Sequence, residues 1–201
     1  MPESLRKLPR SFYLRSTLTV AKDLLGRYIV RKARGITLIG KIVEVEAYLG
    51  EKDPASHTYR GRTKRNEVMF KEGGHLYVYF TYGMHFCANI VTEEEGIGHA
   101  VLLRALEPVQ GIEIMRKNRG FEESDKNDKN LTNGPAKLCQ ALGIARAQNG
   151  VDLIGDTIIL AEGIQTKSSQ ILSSTRIGIN EGKDKKWRFY LKGNGWVSRS
   201  G

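Results

Sequence analysis

Glu44, Glu46 and Tyr48 stand at alternate positions in the run from Lys41 to Gly50. In a β-strand that spacing puts two carboxylates and a phenol, with Ile42, on one face, and Val43, Val45, Ala47 and Leu49 on the other. A carboxylate held on a rigid surface can take a proton from water or stabilise positive charge developing at carbon. The same alternation also describes a half-buried strand with one wet face. These residues alone do not choose between the two readings.

The rest of the chain narrows the choice. Its 201 residues suit one domain with a real core, and its 40% hydrophobic and 27% charged content is that of an ordinary folded protein. Lys and Arg number 32 against 22 Asp and Glu, a net charge of +10 that favours a polyanionic partner, nucleic acid first. Cys87 and Cys139 are far apart and read as reduced core thiols. His57, His75, His85 and His99 form no metal-ligand array, so a zinc site is not expected. No apolar run approaches the roughly 18 residues of a membrane span. The first residues carry charge without a following apolar stretch, unlike a secretory signal.

The elements that must position these groups read as follows. Residues 1–10 form a basic, loosely ordered arm, and 11–201 one domain. Ser16 starts a short helix stopped at Gly26. Tyr28-Ile29-Val30 and Ile36–Leu49 are strands about a turn at Ala33-Arg34-Gly35. Residues 50–74 are a long polar loop with a basic cluster, Arg60, Arg62, Lys64 and Arg65. Loops of this length inside a domain are usually functional or disordered. Strands His75–Tyr82, Phe86–Val91 and Ala100–Leu106 follow. A helix begins at Glu107-Pro108 and ends at Gly120, with Pro in its first turn. Residues 122–130 are charged, lack apolar side chains and read as mobile. Pro135–Leu142 is another helix, and Thr157–Leu160, Thr175–Ile179 and Arg188–Leu191 are short strands. The expected fold is α/β of the α+β type: a curved, mostly antiparallel sheet with short flanking helices and a protruding hairpin.

Several segments in order resemble the alkyladenine (3-methyladenine, methylpurine) DNA glycosylases. They are Gly40–Gly50, Asn66-Glu67-Val68-Met69-Phe70, His75–Met84, Val101–Pro108 and Asn133–Leu142, with a weaker match at Arg188-Phe189-Tyr190 and Gly195-Trp196-Val197-Ser198. The resemblance implies a monofunctional DNA repair enzyme that takes a damaged purine out of duplex DNA and hydrolyses its N-glycosidic bond. Alkylated purines such as 3-methyladenine and 7-methylguanine are the implied substrates, with hypoxanthine and ethenoadenine as further ones. No metal, nucleotide or redox cofactor is called for. The implied partner is double-stranded DNA containing damaged purines, engaged by a monomer with no membrane. The implied location is cytoplasmic and nucleoid-associated if bacterial, nuclear if eukaryotic.

By position, the resemblance makes Glu46 the base that activates water, with Arg104 orienting it. Glu44, on the same face, is the rival acid, and its alternative role is to pair with a nearby Arg or Lys. Arg104 is equally suited to a structural ion pair with Glu44 or Glu46. Tyr48, His57 and Tyr79 match stacking positions for the everted purine, and Asn89 a group that clashes with normal guanine. Tyr82, beside Gly83, matches the intercalating tyrosine, flanked by Met84. Arg60, Arg62, Lys64, Arg65 and Lys137 are expected phosphate contacts. Two other readings stay open. One is a non-catalytic DNA-binding module, in which Glu46 is expendable. The other is a glycosylase/lyase using Pro2 as nucleophile, suggested by Met1-Pro2-Glu3 alone.

Overall fold

The computed structural model describes residues 5–81, 83–122 and 128–199. Its frame is set by one long strand. After helices α1 (Arg10–Tyr13) and α2 (Thr17–Leu24), strands β1 (Tyr28–Ala33) and β2 (Ile36–Leu49) form a hairpin closed at Arg34-Gly35, both with positive φ. Strands β3 (Leu76–Thr81), β4 (His85–Thr92) and β5 (His99–Gln110) follow. Helices α3 (Ile112–Asn118) and α4 (Pro135–Leu142) precede β6 (Ile158–Ala161), β7 (Ile171–Ser174) and β8 (Arg188–Leu191).

The order β3-β4-β5-β2-β1-β6, with β8 on β2 and β7 on β8, makes an eight-stranded sheet whose described pairings are all antiparallel. Few and short helices flank it, which makes this a single-domain α+β fold. One edge of β2 pairs with β5. The other pairs with β1 over its first half and with β8 at Glu44, Val45 and Glu46. The carboxylates therefore sit on a central strand, and neither has a wet face: both are fully buried.

Strict alternation along β2 fails at one point. Ile42 faces Leu106 but Glu44 faces Ala105, so Val43 is an extra residue, a β-bulge. The bulge lets Ile42 join Val45 and Ala47 in the main core, although alternation predicts it on the carboxylate face. That core takes Val20, Ala21 and Leu24 of α2, Met115 of α3 and Leu138 and Leu142 of α4. Each of these side chains larger than Ala21 contributes about 1.5–3 kcal/mol when fully buried. Tyr77 and Tyr79 of β3 turn to the opposite face, where Val68 and Met69 of the long loop pack against them. The helices thus cover one face, and the loop roofs the other.

Three expectations need correction. The helix does not start at Glu107-Pro108. There β5 continues to Gln110, with Pro108 opposite Gly40 and Glu107 opposite Lys41, and Lys41 Nζ lies 2.6 Å from Glu107 Oε2. Pairing with β2 outweighs the local preference of Pro for a first helical turn, and α3 begins only after Gly111 at φ 77°. Thr175–Ile179 is not a strand. The strand is β7, just upstream, and the Ile177 N–H serves a side chain instead of a ladder. Residues 5–10 are not loose: Leu8 is buried, its N–H donates to Leu160 O, and Arg10 binds Gly73 O and Asp152. Of the segment expected to be mobile, 123–127 lies outside the described residues, and Asp128–Asn130 forms a single 3-10 turn.

Candidate active site

Glu46 is held from three sides. Its Oε1 accepts the Ile177 N–H at 2.7 Å and faces Arg104 Nη1 at 3.3 Å, while Oε2 accepts the Tyr48 hydroxyl at 2.9 Å. A carboxylate has about four acceptor lobes, so this leaves roughly one free, on Oε2. Burial first, then the adjacent Glu46 charge, pushes the Tyr48 phenol well above its ordinary range, so it stays a proton donor toward the carboxylate.

Glu44 is saturated. Its Oε1 accepts from Arg104 Nε (3.1 Å), Arg188 Nε (2.7 Å) and Ser198 Oγ (2.8 Å), and Oε2 from the Ser198 N–H (2.6 Å). Of the two roles weighed for it, the pairing one is the one seen. Arg104 bridges both acids. Burial pulls its pKa down, but Glu46 and then Glu44 outweigh burial and hold it above the ordinary arginine value.

In front of this cluster lies a cavity of about 400 Å³. Tyr48, His57, Tyr79, Asn89 and Arg104 all line it, and so does Arg65, expected instead at a phosphate. Glu46 itself is fully buried and does not line the cavity, but its partners Tyr48, Arg104 and Ile177 do. His57 meets Tyr79 edge-on at 4.5 Å, and its Nδ1 lies 3.1 Å from the Tyr77 hydroxyl oxygen. His57 is exposed as a residue, but desolvation of its ring beside these tyrosines, helped by Arg65, lowers its pKa and favours neutral imidazole. Tyr77 stacks beside Tyr79 at 5.6 Å, and burial raises its phenol to about 12 against a smaller opposite pull from Arg65. Asn89, paired across the strands with Tyr77 and Leu102, donates its amide to Tyr77 O at 3.3 Å.

The basic loop is pinned by Asn66, itself buried. Its Oδ1 accepts the Thr63 N–H at 2.6 Å, and its Nδ2 donates to His57 O at 2.8 Å and Gly61 O at 3.0 Å. Around it Arg60, Arg62, Lys64 and Arg65 are exposed, with no acidic partner within 4.0 Å among the described residues. Lys137, in α4, donates to Asn133 Oδ1 at 2.8 Å and Asn130 Oδ1 at 3.1 Å. Its helix neighbour Pro135 lines the cavity. Met84, between β3 and β4, is 70% exposed. Tyr82 and Pro2 lie outside the described residues. Among the described residues no group of His, Cys, Asp or Glu is arranged to hold a metal, and Cys87 and Cys139 are free and buried.

Sequence reading missed Asp53, Asn66, Tyr77, Arg176 and Arg188. Asp53 and Arg176 form a fully buried pair, Nη1 to Oδ2 at 2.5 Å and Nη2 to Oδ1 at 2.7 Å. Asp53-Pro54 read as a turn and Arg176 as a strand residue, and no local signal joins them.

The family model of the methylpurine-DNA glycosylases (MPG) matches residues 11–195. A protein of Carboxydothermus hydrogenoformans is 55% identical over 193 residues, which span 96% of this chain and 98% of that one. One from Clostridium acetobutylicum is 50% identical over 200 residues (96% and 97%), and one from Methanoculleus marisnigri 49% over 195 (96% and 98%). Each bears the name "Putative 3-methyladenine DNA glycosylase". The chain belongs to the methylpurine-DNA glycosylase family. It is therefore a hydrolase of the DNA glycosylase class, and DNA is its partner.

Proposed function

We propose that the protein everts an alkylated purine, such as 3-methyladenine or 7-methylguanine, from duplex DNA into the aromatic cavity and hydrolyses its glycosidic bond. Glu46 is the base. As the bond from C1′ to the purine nitrogen breaks, its electron pair leaves with the purine and the sugar takes oxocarbenium character. A water at the free lobe of Glu46 Oε2 adds to C1′ and gives its proton to the carboxylate, leaving an abasic site. Arg104 orients that water and Glu46 together.

Tyr48, His57 and Tyr79 stack on the everted base, and Asn89 excludes normal guanine through its exocyclic amino group. Tyr82, flanked by exposed Met84, fills the vacated stack, and unstacking costs a few kcal/mol, least for badly paired lesions. Arg60, Arg62, Lys64, Arg65 and Lys137 bind phosphates. Hypoxanthine and ethenoadenine are further substrates. The protein acts as a monomer.

One observation supports this reading most: a fully buried carboxylate, held by Tyr48, Arg104 and the Ile177 N–H, whose three partners line an aromatic cavity. The test is Glu46→Gln on duplexes carrying a single defined lesion. Release of free base is expected to fall by about 10²–10⁴-fold, the range for loss of a general base, while gel-shift affinity for the lesion persists. Undiminished release rejects the assignment. A protein that binds but never cleaves, even as wild type, is a binding module, and a borohydride-trapped adduct points to Pro2.

A further inference from the structure

Arg176 does not line the cavity, yet it packs on Tyr48, binds Asp53 and holds the backbone beside Glu46. Its guanidinium carbon lies 4.6 Å from the centroid of the Tyr48 ring and 5.2 Å from that of Trp187, and Tyr48 lines the cavity where Arg176 does not. Nη1 donates to Ala47 O at 3.0 Å, between Glu46 and Tyr48 in sequence. The next residue supplies the N–H that Glu46 Oε1 accepts. Asp53 closes the arrangement. It binds Arg176 through both oxygens and accepts the N–H groups of Leu49 (3.3 Å) and Ala55 (3.2 Å), at the root of the loop that carries His57.

Charge gives this geometry a consequence. A cation over the Tyr48 ring draws on the π cloud that a base stacked on Tyr48 from the cavity would also use. Left uncompensated, it repels a cationic base stacked on that ring, and burial leaves little water to screen the repulsion. A neutral base stacked there meets no such penalty. We propose that Asp53 determines specificity: by cancelling the Arg176 charge it keeps the slot receptive to cationic purines, while Arg176 is a positioning residue for Tyr48 and Glu46. This rests on the proposed reaction and adds the electrostatic basis for its substrate class.

The test uses Glu46→Gln as background, so that lesions persist during binding. Dissociation constants are measured for duplexes with a single 7-methylguanine, which is cationic, or a single ethenoadenine, which is neutral. Wild-type release of 7-methylguanine, and its loss in Glu46→Gln, is checked first, and failure there rejects the proposed reaction rather than this inference. Adding Asp53→Asn is expected to weaken 7-methylguanine binding about thirtyfold more than ethenoadenine binding, for one unit charge about 8 Å away at an effective dielectric near 20. Asp53→Glu, which keeps the charge, should keep the preference. The neutral double variant Asp53→Asn/Arg176→Gln should recover it. Parallel weakening for both lesions, or equal loss in Asp53→Glu, marks a structural role and overturns the proposal. Should Asp53→Asn not fold, Arg176→Gln decides: with the Asp53 charge left uncancelled, 7-methylguanine binding should strengthen relative to ethenoadenine binding, and an unchanged or reduced ratio overturns the proposal.

Discussion

Arg104 reaches Glu46, its Nη1 3.3 Å from Oε1, from a bulge in β5. Glu44 faces Ala105 and Val45 faces Leu103, so Arg104 has no partner across the ladder. Strict alternation would give Leu106 and Leu102 one face. Instead Leu106 joins Val101 and Leu103 in the main core, because the extra residue shifts the phase. The two bulges, Val43 on β2 and Arg104 on β5, leave the core continuous. They also aim one guanidinium at two carboxylates.

That geometry makes Glu44 a stability residue. Glu44→Leu leaves Arg104 and Arg188 without their shared acceptor and strips Ser198 of its partner. The expected loss is about 3–5 kcal/mol, the range for breaking a buried ion pair from one side. Urea unfolding reads it as a lower midpoint. Base release should fall as well, since Arg104 then has only Glu46 to hold it. A midpoint equal to the wild type's contradicts the account.

Asn66→Ala separates loop order from chemistry. It removes the acceptor for the Thr63 N–H and the donor for His57 O and Gly61 O. Stability should drop by about 1–3 kcal/mol, the cost of leaving buried groups unpaired. KM for lesion duplex should rise more than kcat falls, because Glu46 and Arg104 are untouched. A fall in kcat alone would place Asn66 in the chemical step instead.

Much of this was legible where structure is local. Pro135 at the first position and Gly143 at φ 63° bracket α4 at the bounds read from the sequence. The β-branched run of β2 announced the long strand, and the resemblance named Tyr48, His57, Tyr79, Asn89 and Arg104 of the cavity wall but not Tyr77, Met69 or Leu102. What escaped is non-local. Neither bulge can be read from one strand, since a bulge is defined by its partner. Asp53 and Arg176 are 123 positions apart, so neither announces the other. The Glu107-Pro108 start of a helix failed because β2 offered the segment a ladder that outweighed its local preference.

His57 makes stability depend on pH in a stated direction. Burial, then Arg65, lowers its folded pKa below the ordinary 6.5. The contribution of neutral His57 is therefore complete above about pH 6.5 and is lost as pH falls through the folded value. An NMR titration of the imidazole should show a midpoint below 6.5. His57→Gln should flatten the unfolding midpoint between that value and 6.5. A midpoint at or above 6.5 contradicts desolvation of this otherwise exposed residue's ring by Tyr77 and Tyr79.

The basic loop sets how affinity responds to salt. Arg62 and Lys64 are exposed and lack acidic partners among the described residues, so their charge is available to phosphate. Each phosphate contact releases counterion, and log K falls with log salt by about 0.9 per contact on duplex DNA. Replacing both by Ala should flatten that slope by about two and weaken lesion and undamaged duplexes alike, because phosphate contacts carry no base information. Single-turnover base release at saturating enzyme should stay at the wild-type rate, since neither side chain lines the cavity. An unchanged slope assigns the phosphate contacts elsewhere. A change confined to lesion DNA would tie these cations to recognition of the base itself.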